Sequence, residues 1–373
     1  MGNSCIGVSY SHEFLLTCVV VDNSKVNTAL LLTLAVVAVG SVLRLTGGIV
    51  LPFVIALILY FVLAPTVNVL EKLHIPRFVS ILIILVLVLS FGFLVGLILY
   101  SSIQALLREF PTYQMRLIEI LSEAIARFEL PPDILDQLDL TRTTRVYLIS
   151  LSGNFMAFAG ALTIVLIYLL FLLLEKPFLR NKVRMALNDH TTRKITIVAR
   201  HITTQIARYL RVKLLVSSMT GVIVYTAFSV IGVDFPFVWA VLTMLFNFIP
   251  SIGSIIITVL SITFTIIQFA PDYNPVIAAA LSMAITQFLI GNVLDPMLLG
   301  DRLNLSPVVI LFSLLFWGWL WGIIGMFLAV PLTVAVKIAL ENIPGFEPIG
   351  ILMGTGNVKK PRRIFRRLKA KKE

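Results

Sequence analysis

Charged residues are scarce in this sequence: only 13% of its 373 residues are Asp, Glu, Lys or Arg, whereas soluble globular proteins carry about 25%. Hydrophobic residues make up 58%, and the mean hydropathy is +0.99. Long stretches carry no charge, and about 20 apolar residues in a helix cross a bilayer. These stretches are 26–43, 45–70, 78–107, 146–174, 214–233, 235–271, 273–294 and 303–336. The composition excludes a water-soluble fold and predicts an all-α, polytopic helical membrane protein.

Cysteine and histidine are also rare. The two cysteines, Cys5 and Cys18, precede the first charge-free stretch, which excludes a disulfide framework and a thiolate metal site. The four histidines are scattered in the N-terminal tail and the loops, and no HExxH, GxSxG or P-loop motif occurs. We therefore expect no enzymatic activity, no cofactor and no metal site.

Basic residues, in contrast, are concentrated in two places. The net charge is +11, and 19 of the 30 Lys and Arg residues lie in Lys176–Lys213 and Lys359–Glu373. Both segments flank apolar stretches, where such clusters are typical of cytoplasmic segments that face anionic lipid. This placement favours anionic lipids as partners of the basic loop and tail and excludes nucleic acid.

Charge asymmetry also predicts the topology. The segment 108–145 holds five arginines, seven acidic residues and no lysine, so we expect it outside, with the basic loop one span later inside. Both termini are then cytoplasmic. The predicted order is an N-terminal tail (1–27), three spans (28–105), an external helical segment (106–149), a fourth span (150–174), a basic cytoplasmic helical loop (175–213), a half with broken or re-entrant helices (214–338) and a basic cytoplasmic tail (339–373).

The basic loop contains an apolar stripe at helical spacing. Its members are Ile195, Val198, Ala199, Ile202, Ile206 and Tyr209. The pattern predicts a basic amphipathic helix that lies on the inner leaflet or packs on a neighbouring subunit. The alternative is a solvated linker face.

Two interruptions mark the half 214–338. Irregular backbone is tolerated at membrane depth only where protein buries it or where it lines a wet cavity. In the first break, Asn247-x-x-Pro250-x-x-Gly253, the proline removes a helical donor, the glycine permits unusual backbone angles, and the amide can bind a ligand. Broken helices of this kind form midplane sites in secondary transporters.

The second break follows Gln287 and runs through Asn292, Asp295 and Pro296 to Gly300. Amide side chains both donate and accept hydrogen bonds, so the two amides of this break are candidates, with that of the first, for binding a small polar solute. Asp295 is a candidate carboxylate for coupling to H⁺ or Na⁺. The two prolines and the glycines of both breaks would shape the backbone.

Simpler interpretations remain open for each break. Pro250 and Pro296 can merely kink or end helices, and Asp295 can cap the helix that follows it in an interfacial loop. The long stretches 235–271 and 303–336 each contain either a helix that crosses once or a re-entrant hairpin that returns. The basic tail is cytoplasmic in both cases, so charge does not distinguish them.

Several ordered motifs resemble one known family. They are Leu51-Pro52-Phe53-Val54-Ile55-Ala56 with Pro65, Phe246-Asn247-Phe248-Ile249-Pro250-Ser251-Ile252-Gly253, Gly291-Asn292-Val293-Leu294-Asp295-Pro296 with Gly300, and Leu305-Ser306-Pro307 through Trp317-Gly318-Trp319-Leu320-Trp321-Gly322 to Pro331-Leu332-Thr333. Over roughly residues 28–355 the chain is similar to the autoinducer-2 exporter family. The resemblance implies a bacterial inner-membrane homo-oligomer with about seven or eight helical segments per chain. Members are associated with export of autoinducer-2, and others with Na⁺(Li⁺)/H⁺ antiport.

The sequence thus favours a secondary transporter that exports a small polar solute such as autoinducer-2 through a midplane site at the paired breaks. Two alternatives remain at this point. One is a Na⁺(Li⁺)/H⁺ antiporter, in which Asp295 is the essential group, and the other is a membrane scaffold that transports nothing.

Overall fold

A computed structural model of the protein describes residues 23–127, 129, 155–186, 188–299 and 304–356. The chain divides after Val50 into two compact units. The helices are α1 (Asn23–Leu45), α2 (Gly47–Lys72), α3 (Arg77–Arg127), α4 (Phe155–Ala186), α5 (Asp189–Ile231), α6 (Pro236–Phe246), α7 (Ile252–Phe269), α8 (Tyr273–Leu289), a π-helical turn (Ile290–Leu294), α9 (Asp295–Leu299), α10 (Pro307–Asn342) and α11 (Glu347–Leu352). The first unit contains α1 and the start of α2, and all contacts below lie within the second.

The all-α, polytopic fold class is confirmed. The described residues contain no β-strand, and seven of their helices are long and apolar enough to cross a membrane. These are Gly47–Lys72, Arg77–Arg127, Ala157–Glu175, Thr191–Ile231, Ile252–Phe269, Tyr273–Leu298 and Pro307–Asn342. The predicted external segment (106–149) is described over residues 106–127 and at Glu129. Residues 106–127 form the last part of α3, which runs without interruption to Arg127. The remaining residues of the external segment lie outside the described ranges.

Helices α2, α3 and α4 pack around one apolar cluster. Its buried members are Ala56, Ala64, Val67, Ile81, Ile84, Val165, Leu169 and Leu173. Arg77, at the first residue of α3, donates a hydrogen bond to the carbonyl oxygen of Leu173 at 2.8 Å and pairs with Glu71 at 3.4 Å. The start of α3 is therefore fixed against the end of α2 and the middle of α4.

The basic amphipathic segment forms the first part of α5, a continuous helix of 43 residues. Asn188 caps its start, because the side-chain oxygen accepts a hydrogen bond from the Thr191 N–H at 3.0 Å. The end of the predicted stripe, Ile206 and Tyr209, is buried against α10 of the same chain together with Leu210. This part is partnered within the protein, whereas Ile195 and Ala199 at the start of the stripe are exposed.

The stretch 235–271 forms a helical hairpin, which we call hairpin 1 (residues 235–269). Helix α6 has 11 residues and is about 16 Å long, too short to cross a bilayer core of about 30 Å. Trp239, near its start, lies 5.2 Å from the ring of Phe264, near the end of α7. Gln268 closes the base by donating to the Gly232 carbonyl and accepting from the Asp234 N–H, both at 2.9 Å. The chain therefore returns to the end from which it entered.

The stretch 303–336 also folds back on itself, within α10, as hairpin 2 (residues 307–342). Trp321 and Gly322 have non-helical backbone angles and separate the arms 307–320 and 323–342. Trp317 Nε1 donates to Thr333 Oγ1 at 3.1 Å. In a straight helix, 16 residues would separate these two positions by about 24 Å. The arms are therefore antiparallel, and this stretch returns as well.

The two hairpin tips use the same device. A Cβ atom on Gly253 would overlap the carbonyl oxygen of Phe246, and one on Gly325 would overlap the carbonyl oxygen of Trp317. In each hairpin, a glycine in the first turn of the outgoing arm lies directly against the end of the incoming arm. Only a residue without a side chain permits this approach.

The hairpins enter from opposite ends of the bundle. The base of hairpin 1 comes directly after Gly232, and we call this end of the helix bundle the Gly232 end. The base of hairpin 2 lies beside Ile206 and Leu210 of α5. These two residues are more than 20 positions before Gly232, which is a distance of about 33 Å or more along the axis of α5. We call this end of the bundle the Asn304 end. The tip of hairpin 1 packs against the middle of both arms of hairpin 2, where Ile249 contacts Leu314 and Ala329.

The tip glycines give a first testable expectation. Gly253→Ala and Gly325→Ala force a Cβ atom into a backbone carbonyl, so each should destabilise the protein by about 1–3 kcal/mol or more. Thermal unfolding of the purified protein in detergent measures the loss. Gly48→Ala, in a helix with open space around the glycine, is the control and should leave the midpoint unchanged or raise it slightly, because alanine favours helix. Unaltered unfolding of both tip variants would contradict the tip geometry.

The return of both stretches is tested by cysteine labelling. In a background with Cys5→Ser and Cys18→Ser, single cysteines at Asp234 and Asp272 should react with an impermeant maleimide from the same face of the membrane. A cysteine at Glu347 should react only from the other face. If Asp234 and Asp272 label from opposite faces, hairpin 1 crosses the membrane and the assignment is wrong.

Candidate functional site

A buried lysine links both sequence breaks. Lys213 lies on α5 and is only 3% exposed. Its Nζ donates to Asp295 Oδ2 at 2.7 Å and lies 3.5 Å from Asn247 Oδ1. Removing an ammonium group from water is costly unless it is paired and hydrogen-bonded. The tip of hairpin 1 and the start of α9 are therefore held together through one charged side chain.

Asn247 occupies the end of α6 and is buried at the tip of hairpin 1. Its amide nitrogen donates to Ser217 Oγ at 3.1 Å and to Thr220 Oγ1 at 3.4 Å. Residues 213, 217 and 220 are spaced by four and three, so they share one face of α5. This polar face holds the Asn247 side chain by both its oxygen and its nitrogen.

Asp295 owes its position to the π-helical turn before it. The Asp295 N–H donates to the carbonyl of Ile290, five residues back. Pro296 follows and has no N–H with which to continue a regular ladder, so a local change of winding is expected here. Asp295 Oδ2 accepts from Lys213, whereas Oδ1 is buried and accepts no hydrogen bond from the described residues.

Two further polar atoms nearby in the chain are buried without a partner among the described residues. They are Oγ1 of Thr243, one turn before Asn247 on α6, and Nε2 of Gln287 on α8. Thr243 is completely buried. Orphaned polar atoms are uncommon in folded proteins, so these two atoms are candidates for contact with water or a ligand.

The other sequence-predicted residues lie apart from this network. The Asn292 side chain is exposed and donates to the Phe288 carbonyl at 3.2 Å, within its own helix. Pro296 is exposed at the start of α9, and Gly253 serves the tip of hairpin 1. Gly300 lies outside the described residues. The structure thus brings Asn247 and Asp295 together and leaves Asn292 on the surface.

Sequence reasoning missed Lys213, Ser217 and Thr220. Lys213 was assigned to the basic loop because it is the last residue of the dense run of basic residues. The available signal was its spacing: a lysine followed at helical intervals by two hydroxyl side chains, directly before a charge-free stretch. That pattern indicates a polar face on a helix that enters the bundle.

A second polar group joins α3 to the Gly232 end. Tyr113 donates to Asp234 Oδ2 at 2.6 Å, and Arg116 donates to the carbonyl of Gln268, the residue that closes hairpin 1. Beside them is an open cleft of about 250 Å³. Its lining comprises Arg116, Glu119, Ile120, Glu123, Arg127, Ala270, Pro271 and Tyr273. In the described part of the chain, no three His, Cys, Asp or Glu side chains are grouped to hold a metal ion.

Long apolar helices, two opposed hairpins and a buried polar network define a multi-pass membrane protein. The chain matches the model described as "AI-2E family transporter" over residues 29–345, and it belongs to that family.

Relatives agree with this assignment. Proteins named "Putative transport protein" from Borreliella burgdorferi and Haemophilus influenzae are 32% and 31% identical; the alignments cover 82% and 89% of this chain and 85% and 98% of those proteins. The "AI-2 transport protein TqsA" of Escherichia coli K12 is 30% identical over 84% of this chain and 92% of its own length.

The buried ion pair gives the next expectation. Lys213→Met leaves the half-buried Asp295 carboxylate without its partner, which should cost more than the ~1 kcal/mol of an exposed pair and at most about 3–5 kcal/mol of stability. The double variant Lys213→Met, Asp295→Asn removes both charges and should recover a large part of that loss. Denaturation in micelles measures the coupling.

The exposed pair between Lys182 and Glu175 provides the control. Lys182→Met should cost less than about 1 kcal/mol, as is usual for surface pairs. Additive losses in the Lys213 and Asp295 double variant would show that the two groups are not coupled.

Proposed function

We propose that this protein is a secondary transporter that exports a small polar solute, such as autoinducer-2, by alternating exposure of a midplane site at the paired breaks. The observation that carries the proposal is the meeting of hairpins 1 and 2 from opposite ends. Phe248 of the first tip lies 6.4 Å from Phe327 of the second hairpin, measured between ring centres. Non-helical backbone of this kind is stable in a bilayer only inside protein or beside a wet cavity.

The proposed orientation follows the charge distribution. Lys and Arg residues are concentrated in 176–213 and 359–373, and the positive-inside rule assigns such segments to the cytoplasm. The Asn304 end is then cytoplasmic, with both chain termini, and the Gly232 end faces outward. We assign the protein to the bacterial inner membrane, with anionic lipids as partners of its basic segments.

The solute site is proposed at Asn247 and Gln287, with Asn292 as a further contact at the surface. Neutral amides and the hydroxyl of Thr243 suit a neutral, hydroxyl-rich solute, because each can donate and accept. The unpartnered atoms of Gln287 and Thr243 support this choice. The name of the Escherichia coli relative supports autoinducer-2 as the first solute to test.

Transport in this scheme uses an ion gradient or the gradient of the solute itself. The broken backbone is shaped by Pro250, Gly253, Pro296 and Gly300. To expose the site, one group of helices moves against another. Exposed apolar side chains are frequent along α3 and α4, among them Phe91 and Phe171. They face lipid or other subunits, and we propose a homo-oligomer.

A Na⁺(Li⁺)/H⁺ antiporter is the second candidate function. The specific observation in its favour is the Lys213–Asp295 pair, because buried ionisable groups in membrane proteins mark ion or proton paths. In this case Asp295 is the essential group, and a sugar-like solute is irrelevant.

Liposome flux separates these functions. Asn247→Ala and Asn292→Ala should each lower autoinducer-2 flux, with about a tenfold loss at Asn247 if one solute hydrogen bond of about 1.4 kcal/mol disappears. Asn274→Ala, at the exposed start of α8, is the control and should transport normally. Unchanged flux in both test variants would remove the site assignment.

The same liposomes, loaded with a pH-sensitive dye, test antiport. For the antiporter, a Na⁺ pulse should change the internal pH, and Asp295→Asn should abolish that change. Autoinducer-2 flux without any Na⁺-dependent pH change would exclude this second candidate.

A further inference from the structure

Helix α6 carries three polar side chains on one face. Trp239, Thr243 and Asn247 follow one another at intervals of four residues, the spacing at which side chains lie above one another on a helix. From the first to the last, the face extends about 12 Å along the helix axis. Asn247 lies at the tip of hairpin 1 and Trp239 near the Gly232 end, so the face leads outward from the proposed solute site.

Two polar atoms on this face are buried without a protein partner among the described residues. They are Oγ1 of Thr243, whose side chain is fully buried, and Nε1 of Trp239. A buried hydroxyl or indole N–H costs free energy unless it is hydrogen-bonded. Thr265, which is equally buried on α7, meets this requirement within its own helix by donating to the Ile262 carbonyl at 2.9 Å. Two unsatisfied groups in succession on one helix face therefore fit a polar partner that can bind either of them.

The outer end of the face reaches the polar group at the Gly232 end. The ring of Trp239 lies 5.2 Å from that of Phe264, which in turn lies 5.3 Å from the ring of Tyr113. The hydroxyl of Tyr113 donates to Asp234 at 2.6 Å. Phe264 therefore links the outer end of the α6 face to the side chains that open toward the outside.

We propose that the outward part of the solute path follows this face of α6, with Thr243 and Trp239 as successive hydrogen-bonding groups between Asn247 and the Gly232 end. The hydroxyl of Thr243 donates and accepts, and the indole N–H of Trp239 donates. Water binds these groups between transport events, and a hydroxyl or carbonyl oxygen of the solute replaces it during passage.

The chemistry of the face selects a neutral solute. Helix α6 contains no charged residue, so the face offers hydrogen bonds but no counter-charge. An ion moved into such surroundings loses its hydration without compensation, which is costly. A neutral molecule rich in hydroxyl groups instead exchanges its bonds to water for bonds to Asn247, Thr243 and Trp239 in turn. The face therefore favours the first of the two candidate functions.

This inference rests on the proposed transport function, but hydration of the face is measured without any flux. In ¹⁵N-indole spectra of the purified full chain, assigned with Trp239→Phe and Trp317→Phe, the N–H of Trp239 should exchange in D₂O at least about tenfold faster than that of Trp317. Trp317 is the matched control, because it is also half-buried but its Nε1 donates to Thr333 Oγ1. Equal or slower exchange at Trp239 would overturn the proposal.

Thiol labelling examines the middle of the face. In a background with Cys5→Ser and Cys18→Ser, Thr243→Cys should react with a small water-soluble methanethiosulfonate, because the reactive thiolate forms only where water reaches it. Thr265→Cys, at an equally buried position, is the control and should remain unlabelled. Excess autoinducer-2 should slow the labelling of Thr243→Cys by occupying the path. An unreactive Thr243→Cys, or equal labelling of both variants, would contradict the route.

Thr243→Val distinguishes a wet face from a dry one. The substitution keeps the shape of the side chain and removes the hydroxyl. In a dry interior, losing an unsatisfied hydroxyl would raise the thermal midpoint by about 2–5 °C, whereas a hydroxyl that binds water or solute gives no such gain. In liposomes, Thr243→Val should lower autoinducer-2 flux about tenfold, and Thr265→Val should transport normally. A raised midpoint with unchanged flux would refute the assignment of Thr243.

Failure of this route and failure of the proposed function give different results. If Asn247→Ala abolishes autoinducer-2 flux while Thr243→Val transports normally and Thr243→Cys stays unlabelled, solute transport stands and the route is refuted. If Trp239 exchanges rapidly and Thr243→Cys is labelled but no autoinducer-2 crosses, the wet face stands and the proposed solute is wrong.

Discussion

The architecture of the second half depends on the close approach of backbone to backbone at Gly253 and Gly325. A helix that turns back inside a bilayer exposes peptide groups that lipid cannot satisfy. The two glycines allow the outgoing arm to begin directly against the incoming one, so that the turn is short and its polar groups are covered. The packing of hairpin 1 against the arms of hairpin 2 and the position of Asn247 depend on these two turns.

Lys213 adds an electrostatic constraint to this steric one. The tip of hairpin 1 is held against hairpin 2 by apolar contacts around Ile249 and Phe248, which allow small adjustments in packing. The ion pair to Asp295 and the contact with Asn247 fix the register of the tip against α5. A buried pair of this kind contributes little net stability, and its value here is that it specifies one arrangement of three elements.

Much of the fold follows from the sequence, and the site follows only in part. Charge-free stretches identified the apolar helices, because hydrophobic length is a direct requirement of the bilayer. They did not reveal whether 235–271 and 303–336 cross or return, since both topologies have the same hydropathy. Asn247 and Asp295 were identified because they accompany prolines. Lys213 was not identified because it follows a dense run of basic residues. Asn292 was predicted to bind a solute but is exposed, because sequence spacing near a π-helical turn does not determine which way a side chain faces.

Gln268 has a consequence for the mechanics of hairpin 1. Its side-chain amide binds the chain on both sides of the loop that enters the hairpin, at the Gly232 carbonyl and the Asp234 N–H. The arms are thus fastened where they open as well as where they turn. Because the arms are bonded at both extremities, separating α6 from α7 would break these contacts, and a displacement that carries the two helices together would keep them.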